Sequence, residues 1–323
     1  MTFILSTKDA YRQAVEAATG GKNTVMYDDK GNPSIMVCMT RQNYSDLIDG
    51  APSSAHSAFI VNGQVKNEIW VSKFQNIVHD NRAYSLPGMD PRTSITYDQA
   101  KAACEAKGAG WHLMTDPEWA LIAEYTKKNG SMPRGNNNYG QDIAAGYEKG
   151  LSVHMADATR TGRVATGSGP STWSHDGTNE GIFDLNGNVV EWTHGLKIVD
   201  GIAHVMADNN FGDAETTWIN TGVDITAGMT SGQRILTQRT GEIPNSPGMR
   251  WEGLAIPATA DGVGSADYGN DGYWFNNTGE RFPIRGGNWI DGVQSGVFAL
   301  NLRNARSLAV TGIGFRSAFI SSI

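Results

Sequence analysis

RGGNWIDGVQSGVFALNLRNARSLAVTGIGFRSAF, residues 285 to 319, is the stretch whose reading decides the fold. It opens on Arg285-Gly286-Gly287, where paired glycines permit a tight backbone path. In Val297-Phe298-Ala299-Leu300-Asn301-Leu302 the large residues Phe298, Leu300 and Leu302 alternate with smaller or polar ones. A period of two puts them on one face of a strand. Ile313, Phe315, Ser317 and Phe319 repeat that period and predict a second strand. Between the two lie irregular patches, Ile290 to Ser295 and Arg303 to Gly312. Rigid strands bracketing chemically mixed loops form the layout of a recognition surface.

Working upstream, GIFDLNGNVVEWT (Gly181 to Thr193) carries an Asn186-Gly187 turn followed by Val189, Val190 and Trp192 leading into strand. TYDQAKAACEAKGAGWHLMTDPEWALIAEY (Thr96 to Tyr125) holds two capping boxes, Thr96 with Gln99 and Thr115 with Glu118, each opening a helix. The first helix is expected to bury Ala100, Ala103 and Cys104, and the second Trp119, Ile122 and Ala123. Asn62-Gly63 is the turn of a hairpin within 59–78, with Ile69, Val71 and Phe74 on its apolar side. Residues 133–181 and 197–280 read as long irregular stretches. The tryptophans of the second, in GMRWEG and DGYWFNN, either pin a loop to the body or bind a ligand. Residues 1–54 read as a small unit: a helix capped by Ser6 or Thr7, with Tyr11, Ala14, Val15 and Ala18 on one face, then a hairpin through DDKGNP. So small a unit must dock on the body or on another chain.

Composition narrows the class. With 323 residues the chain has ample core material, only 18% of them charged, and 39 glycines favour a loop-rich fold over a helical bundle. A net charge of -7 argues against a nucleic-acid partner. Membrane insertion is not expected, because no run approaches the roughly 20 apolar residues that a span needs. The N-terminal apolar run is too short for a secretory signal. The expectation is synthesis in the cytoplasm, with the virion tail or a cell surface reached by lysis or dedicated export. Cys38 and Cys104 are expected to be two buried free thiols.

The words RGGNW, GVFALNL, NARS, IGFRSA, GIFDLNGNVVEWT and the run from Thr96 to Tyr125 resemble the formylglycine-generating-enzyme subtype of the C-type-lectin fold. Above all they resemble the variable proteins served by diversity-generating retroelements. The resemblance implies an α+β, loop-rich C-type-lectin domain over 55–323, with 1–54 as an N-terminal docking or assembly extension. It implies a ligand-binding protein, not an enzyme, with a variable region at 285–319. The partner would be a surface protein or glycan receptor on a bacterial cell, met at a phage or prophage tail tip, with a homotrimer as the assembly such binders use. In that family adenine-directed mutagenesis scatters asparagine-type codons, leaving incongruous residues in polar loops. Ile290, Leu308 and Val310 are such residues, and Asp291, Val293, Gln294, Ser295, Arg303, Ala309 and Gly312 complete the expected binding set. An ordinary loop lid tucked on the core is the other reading of the same positions.

The alternative function is a metal-dependent oxidase of the same fold, formylglycine-generating or sulfoxide-synthase-like. The first chemistry relies on two cysteines in the C-terminal third, yet no cysteine follows Cys104. The second needs clustered histidines, and the seven present have no HxH, HxxxH or HExxH spacing. No GxSxG elbow or phosphate loop occurs either. No cofactor is required, although the resemblance makes Asn188 and Glu191 candidates for a structural calcium ion through hard oxygen donors. The competing reading gives Glu191 a buried salt bridge or backbone amides to cap. The EPN or QPD tripeptide of calcium-dependent sugar-reading lectins is absent.

Overall fold

Helix α1 (Thr7–Ala18) opens the described part of the chain, residues 7–321 of the computed structural model. Ser6, one of its two expected caps, lies outside the described residues. Gly20 and Gly21 stop the helix with φ of 58° and 82°. No residue of α1 is buried: Tyr11, Ala14 and Ala18 are exposed and Val15 is half-buried. The hairpin that follows has strands β1 (Asn23–Tyr27) and β2 (Pro33–Thr40), in register from Asn23 opposite Val37 to Tyr27 opposite Pro33.

After the single turn α2 (Tyr44–Leu47), Asn62 and Gly63 form the expected tight turn between β3 (Ile60–Val61) and β4 (Gln64–Val65). Their φ angles of 51° and 72° are what a two-residue hairpin loop requires. Strand β5 (Glu68–Ser72) follows, then the hairpin of β6 (Ile77–His79) and β7 (Arg82–Tyr84), helix α3 (Tyr97–Glu105), β8 (Trp111–Leu113) and helix α4 (Asp116–Lys128). Both capping boxes form. Thr96 Oγ1 accepts from Gln99 N at 3.2 Å, and Thr115 Oγ1 from Glu118 N at 3.3 Å. Ala100, Ala103 and Cys104 are buried on α3, and Trp119, Ile122 and Ala123 on α4. No described helix is long and apolar enough to cross a membrane.

The stretch 197–280, expected to be irregular, instead carries short strands between its loops. Following β9 (Val190–Trp192) come β10 (Leu196–Val199), β11 (Ile202–Val205), β12 (Ile219–Asp224), β13 (Gln233–Gln238), β14 (Pro257–Asp261) and β15 (Gly272–Phe275). The strands are short, and register shifts interrupt their pairing, so no clean period of two survives in the sequence. Strands β16 (Glu280–Gly286), β17 (Gly296–Asn304), β18 (Ile313–Phe315) and β19 (Ser317–Phe319) complete the fold.

Two sheets result. The larger runs β12-β11-β10-β16-β17-β15-β13-β14, with β9 and β18 joined to it through β16. The smaller, β1-β2-β5-β19-β8, combines the N-terminal hairpin with β19. The architecture is α+β, mostly sheet with few helices, and rich in loops, as expected. Phe298, Leu300 and Leu302 are fully buried, in one cluster with Trp119 and Leu121 of α4. A second cluster joins Tyr97 and Cys104 to Trp192, Phe282, Ile313 and Phe315.

The strand expected through Ile313 and Phe319 is two strands in different sheets, because the chain crosses between them at Arg316. That side chain is fully buried and clasps Glu191 twice, both contacts at 2.6 Å, and donates to Phe183 O at 3.0 Å. Arg285 is equally buried and holds Asp116 at 2.9 and 2.6 Å while donating to Leu254 O at 2.7 Å. The arginines of the RGGNW and IGFRSA words are therefore staples inside the protein. Cys104 is buried, whereas Cys38 is only half-buried, against the expectation for it.

Candidate binding site

Strands β16 and β17 pair antiparallel, and the loop between them starts where Gly286 and Gly287 take φ of 90° and 72°. A Cβ on Gly287 would strike the Ser295 side chain, so the loop's two ends touch. Ser295 Oγ closes that base by donating to Gly286 O at 2.9 Å. Inside the loop Asn288 Oδ1 accepts from Ile290 N, and Asp291 Oδ2 from Asn288 N, both at 2.9 Å. Burial pushes the Asp291 carboxyl up, with the Asn288 amide pulling the other way.

Trp289 joins three loops. Its carbonyl accepts from Tyr139 N at 2.8 Å, its ring lies 6.0 Å from that of His154, and it packs beside Gly312. Gly292 N donates to Asn137 O at 3.0 Å, a further tie to the long 133–181 loop. The second loop, after β17, is held in the same manner. Arg306 O accepts from Tyr97 N and Val310 O from Ser94 N, both at 3.1 Å, while Gly312 O accepts from Val190 N at 2.9 Å. Arg306 itself pairs with Asp98 and Glu215.

Between the two loops lies a cleft of about 250 Å³ on the outward face of β15, β16 and β17. Its floor is apolar, formed by Ile284, Ala299 and Ile313. Of the expected binding set, Asp291, Arg303, Leu308, Val310 and Gly312 line it. Ile290, at 54%, Val293, at 45%, and Ala309 are exposed on the loops beside it. Gln294 turns away and donates to Gly232 O at 3.0 Å.

Three residues of that set are less open than a free loop position. Ser295, 3% exposed, is committed to the loop base and offers no side chain to a ligand. Gly312 is buried and contributes backbone alone. Leu308 is half-buried and packs on the cluster of Val190 and Ile313, so it belongs partly to the core. Sequence reasoning left Trp274 open between pinning and binding, and it missed the lining residues Asn288, Asn301 and Asn304. Asn301 occupies the polar slot in the alternating pattern of β17, a signal that was available. Trp274 sits opposite Asn301 on the parallel neighbour β15 and is half-buried, while Trp251 of GMRWEG is 5% exposed and pins its loop. Trp251 thus follows the pinning alternative, while Trp274 stands at the wall of the cleft.

No protein-family model and no curated protein matches the chain. Among solved structures it is similar to PvdO from Pseudomonas aeruginosa, at 13% identity and a TM-score of 0.40, over 92% of this chain and 98% of that one. Treponema denticola variable protein 1 aligns at 13% identity and a TM-score of 0.39, with the same coverage. The Major Tropism Determinant P3c variant aligns at 12% identity and a TM-score of 0.32, over 92% of this chain and 71% of that one. Likeness of this degree assigns no function.

The donors suggested for calcium do not fit an ion. Both oxygens of Glu191 are engaged by Arg316, and Gln75 Nε2 donates to Oε1 at 3.0 Å. Asn188 Oδ1 accepts from Val164 N at 2.9 Å, and its amide nitrogen donates to Gln75 Oε1 at 2.9 Å. A cation there would have to displace a buried guanidinium. Among the described residues no group of three or more His, Cys, Asp or Glu side chains is placed to hold a metal.

Proposed function

We propose that the chain is a non-enzymatic binding protein in which a C-type-lectin frame of the formylglycine-generating-enzyme subtype carries a diversified ligand-binding face. One observation carries this reading: buried groups and backbone hydrogen bonds hold the two loops, while Ile290, Val293, Ala309 and Val310 project outward from them. Side chains that do not hold the backbone can be exchanged with little effect on stability. Catalysis by the oxidase route lacks its groups, since no cysteine follows Cys104.

In this role the protein sits at the tail tip of a phage or prophage, or at a cell surface after export. There it meets a surface protein or glycan receptor of a bacterial cell, and requires no cofactor. Assembly as a homotrimer would leave the exposed face of α1 available for contacts between copies. The test is the DNA beside the coding region, where a near-copy of the codons for residues 285–316, differing mainly at adenines and next to a reverse transcriptase, is expected. A parallel test scores whole-cell binding of chains randomised at Ile290, Val293, Arg303 and Val310. Absence of any such copy, together with cell binding indifferent to those positions, overturns the proposal.

A further inference from the structure

If the face binds a ligand as proposed, the cleft between its two loops has chemistry specific enough to name the occupant. Its wall presents unused hydrogen-bonding capacity of both kinds. Asn301 Oδ1 accepts from Arg303 N at 3.0 Å and from Asn304 Nδ2 at 3.3 Å, which leaves the Asn301 amide N–H groups and the Asn304 carbonyl without a hydrogen-bond partner among the described residues. Asn288 and Asp291 each use one side-chain oxygen on the loop backbone, leaving an amide nitrogen and a carboxylate oxygen. Arg303 spends Nε and Nη2 on Ser231 Oγ, at 3.3 and 3.1 Å, and keeps Nη1. Trp274 Nε1 has no hydrogen-bond partner among the described residues.

A ligand for such a wall must donate and accept within one small volume, and must also lay an apolar surface on the floor of Ile284, Ala299 and Ile313. Hydroxyl groups do both, because each carries one donor and two acceptor lone pairs. A polyhydroxylated ring also has C–H faces suited to an aliphatic floor and an indole. One carboxylate and one guanidinium cancel in charge, so nothing favours a strongly anionic ligand such as a phosphate. A volume of about 250 Å³ suits one ring better than a chain of them. We infer that the cleft binds a single neutral sugar residue, the terminal unit of a surface glycan, with Trp274 and Asn301 as its chief contacts and no calcium ion between protein and sugar.

The experiment titrates the full chain with D-galactose, D-mannose, L-rhamnose and N-acetyl-D-glucosamine in EDTA, followed by ligand-observed NMR and calorimetry. At least one is expected to bind with a dissociation constant near 1 mM, as weak single-ring ligands do. Trp274→Ala and Asn301→Ala should each weaken it tenfold or more with an unchanged melting temperature. Val65→Asp, on the separate β3–β4 hairpin, should leave it alone. Where Trp274→Ala unfolds the protein, Trp274→Phe and Asn304→Ala serve instead. Failure of all four sugars, or binding untouched by both cleft variants, overturns the inference. So does undiminished capture of host cells after periodate destroys their glycans. If cell capture survives periodate yet falls in the loop and cleft variants, the face binds a protein, and the wider proposal stands while this one falls. If no variant alters cell capture, both fall.

Discussion

Arg285 and Ile290 are near neighbours in sequence and opposite in environment, and the same contrast recurs between Arg316 and Val310. The two arginines are 0% exposed, each locked to a buried carboxylate and to backbone carbonyls of other segments. The two aliphatic residues are 54% and 46% exposed on loops whose course is set by backbone bonds. A charged residue inside and an aliphatic one outside invert the usual partition. Residue type alone therefore misassigns both sets: the charged side chains make the frame, and the apolar ones form the surface that can change.

The sharpest way to break that contrast is to cut a staple. Arg316→Ala strands Glu191 as an unpaired buried charge, and a loss of about 3–5 kcal/mol is expected in chemical denaturation. The double replacement Glu191→Leu with Arg316→Met should recover much of it, because an apolar pair leaves no charge uncompensated. If Arg316→Ala is as mild as a surface change, the arginine is not a staple.

A second expectation concerns pH. Asp271 lies beneath β17, where its Oδ2 accepts from Phe298 N at 2.7 Å, and burial without a cationic partner pushes its carboxyl up to about 8. An unfolded aspartate titrates near 4. The folded state therefore holds the extra proton between those values, and this contribution to stability is full below pH ~4 and lost as pH rises through 8. Denaturation midpoints should fall from pH 5 to pH 8, and Asp271→Asn should flatten the slope. An unchanged slope in that variant refutes the assignment.

Leu308 tests the boundary between the two sets. Half-buried against Val190 and Ile313, it should cost about 1–2 kcal/mol as Leu308→Asn, between the frame and the open loops. At the far end, Ile290→Asn, Val293→Asn and Val310→Asn should each shift thermal stability by less than about 0.5 kcal/mol. Costs for these three that match Arg316→Ala would make them core.

The frame was legible wherever a local rule operates. Thr96 and Thr115 announce their helices because a cap and its partner lie three residues apart, and Asn62-Gly63 announces its turn because few residues tolerate such φ angles. Phe298, Leu300 and Leu302 could be read from their period. The strands within 197–280 could not, since their pairing partners are distant and their registers shift. In the candidate site, Ile290, Leu308 and Val310 stood out as apolar residues among polar neighbours, and Ile290 and Val310 are indeed exposed. Ser295 looked the same as they did, because a hydroxyl turned inward to a carbonyl leaves no trace in composition. Trp274 could be read only as one of two alternatives for another reason: it reaches the cleft through a parallel pairing with a strand that begins 22 positions later.

Strand β19 lies between β5 and β8, next to the edge of the five-stranded sheet that also contains the N-terminal hairpin. A strand that leaves the ribosome after all the others of its sheet is thus the one that fills the gap between them. A chain that stops or shifts frame anywhere within 285–316 never supplies it. Strands β5 and β8 are then left with open edges, and Glu191 loses the partner that neutralises it. Completion of that sheet consequently depends on reading through the very segment that carries the cleft. Only a product read in frame through Phe319 closes its sheet, whatever side chains its loops present.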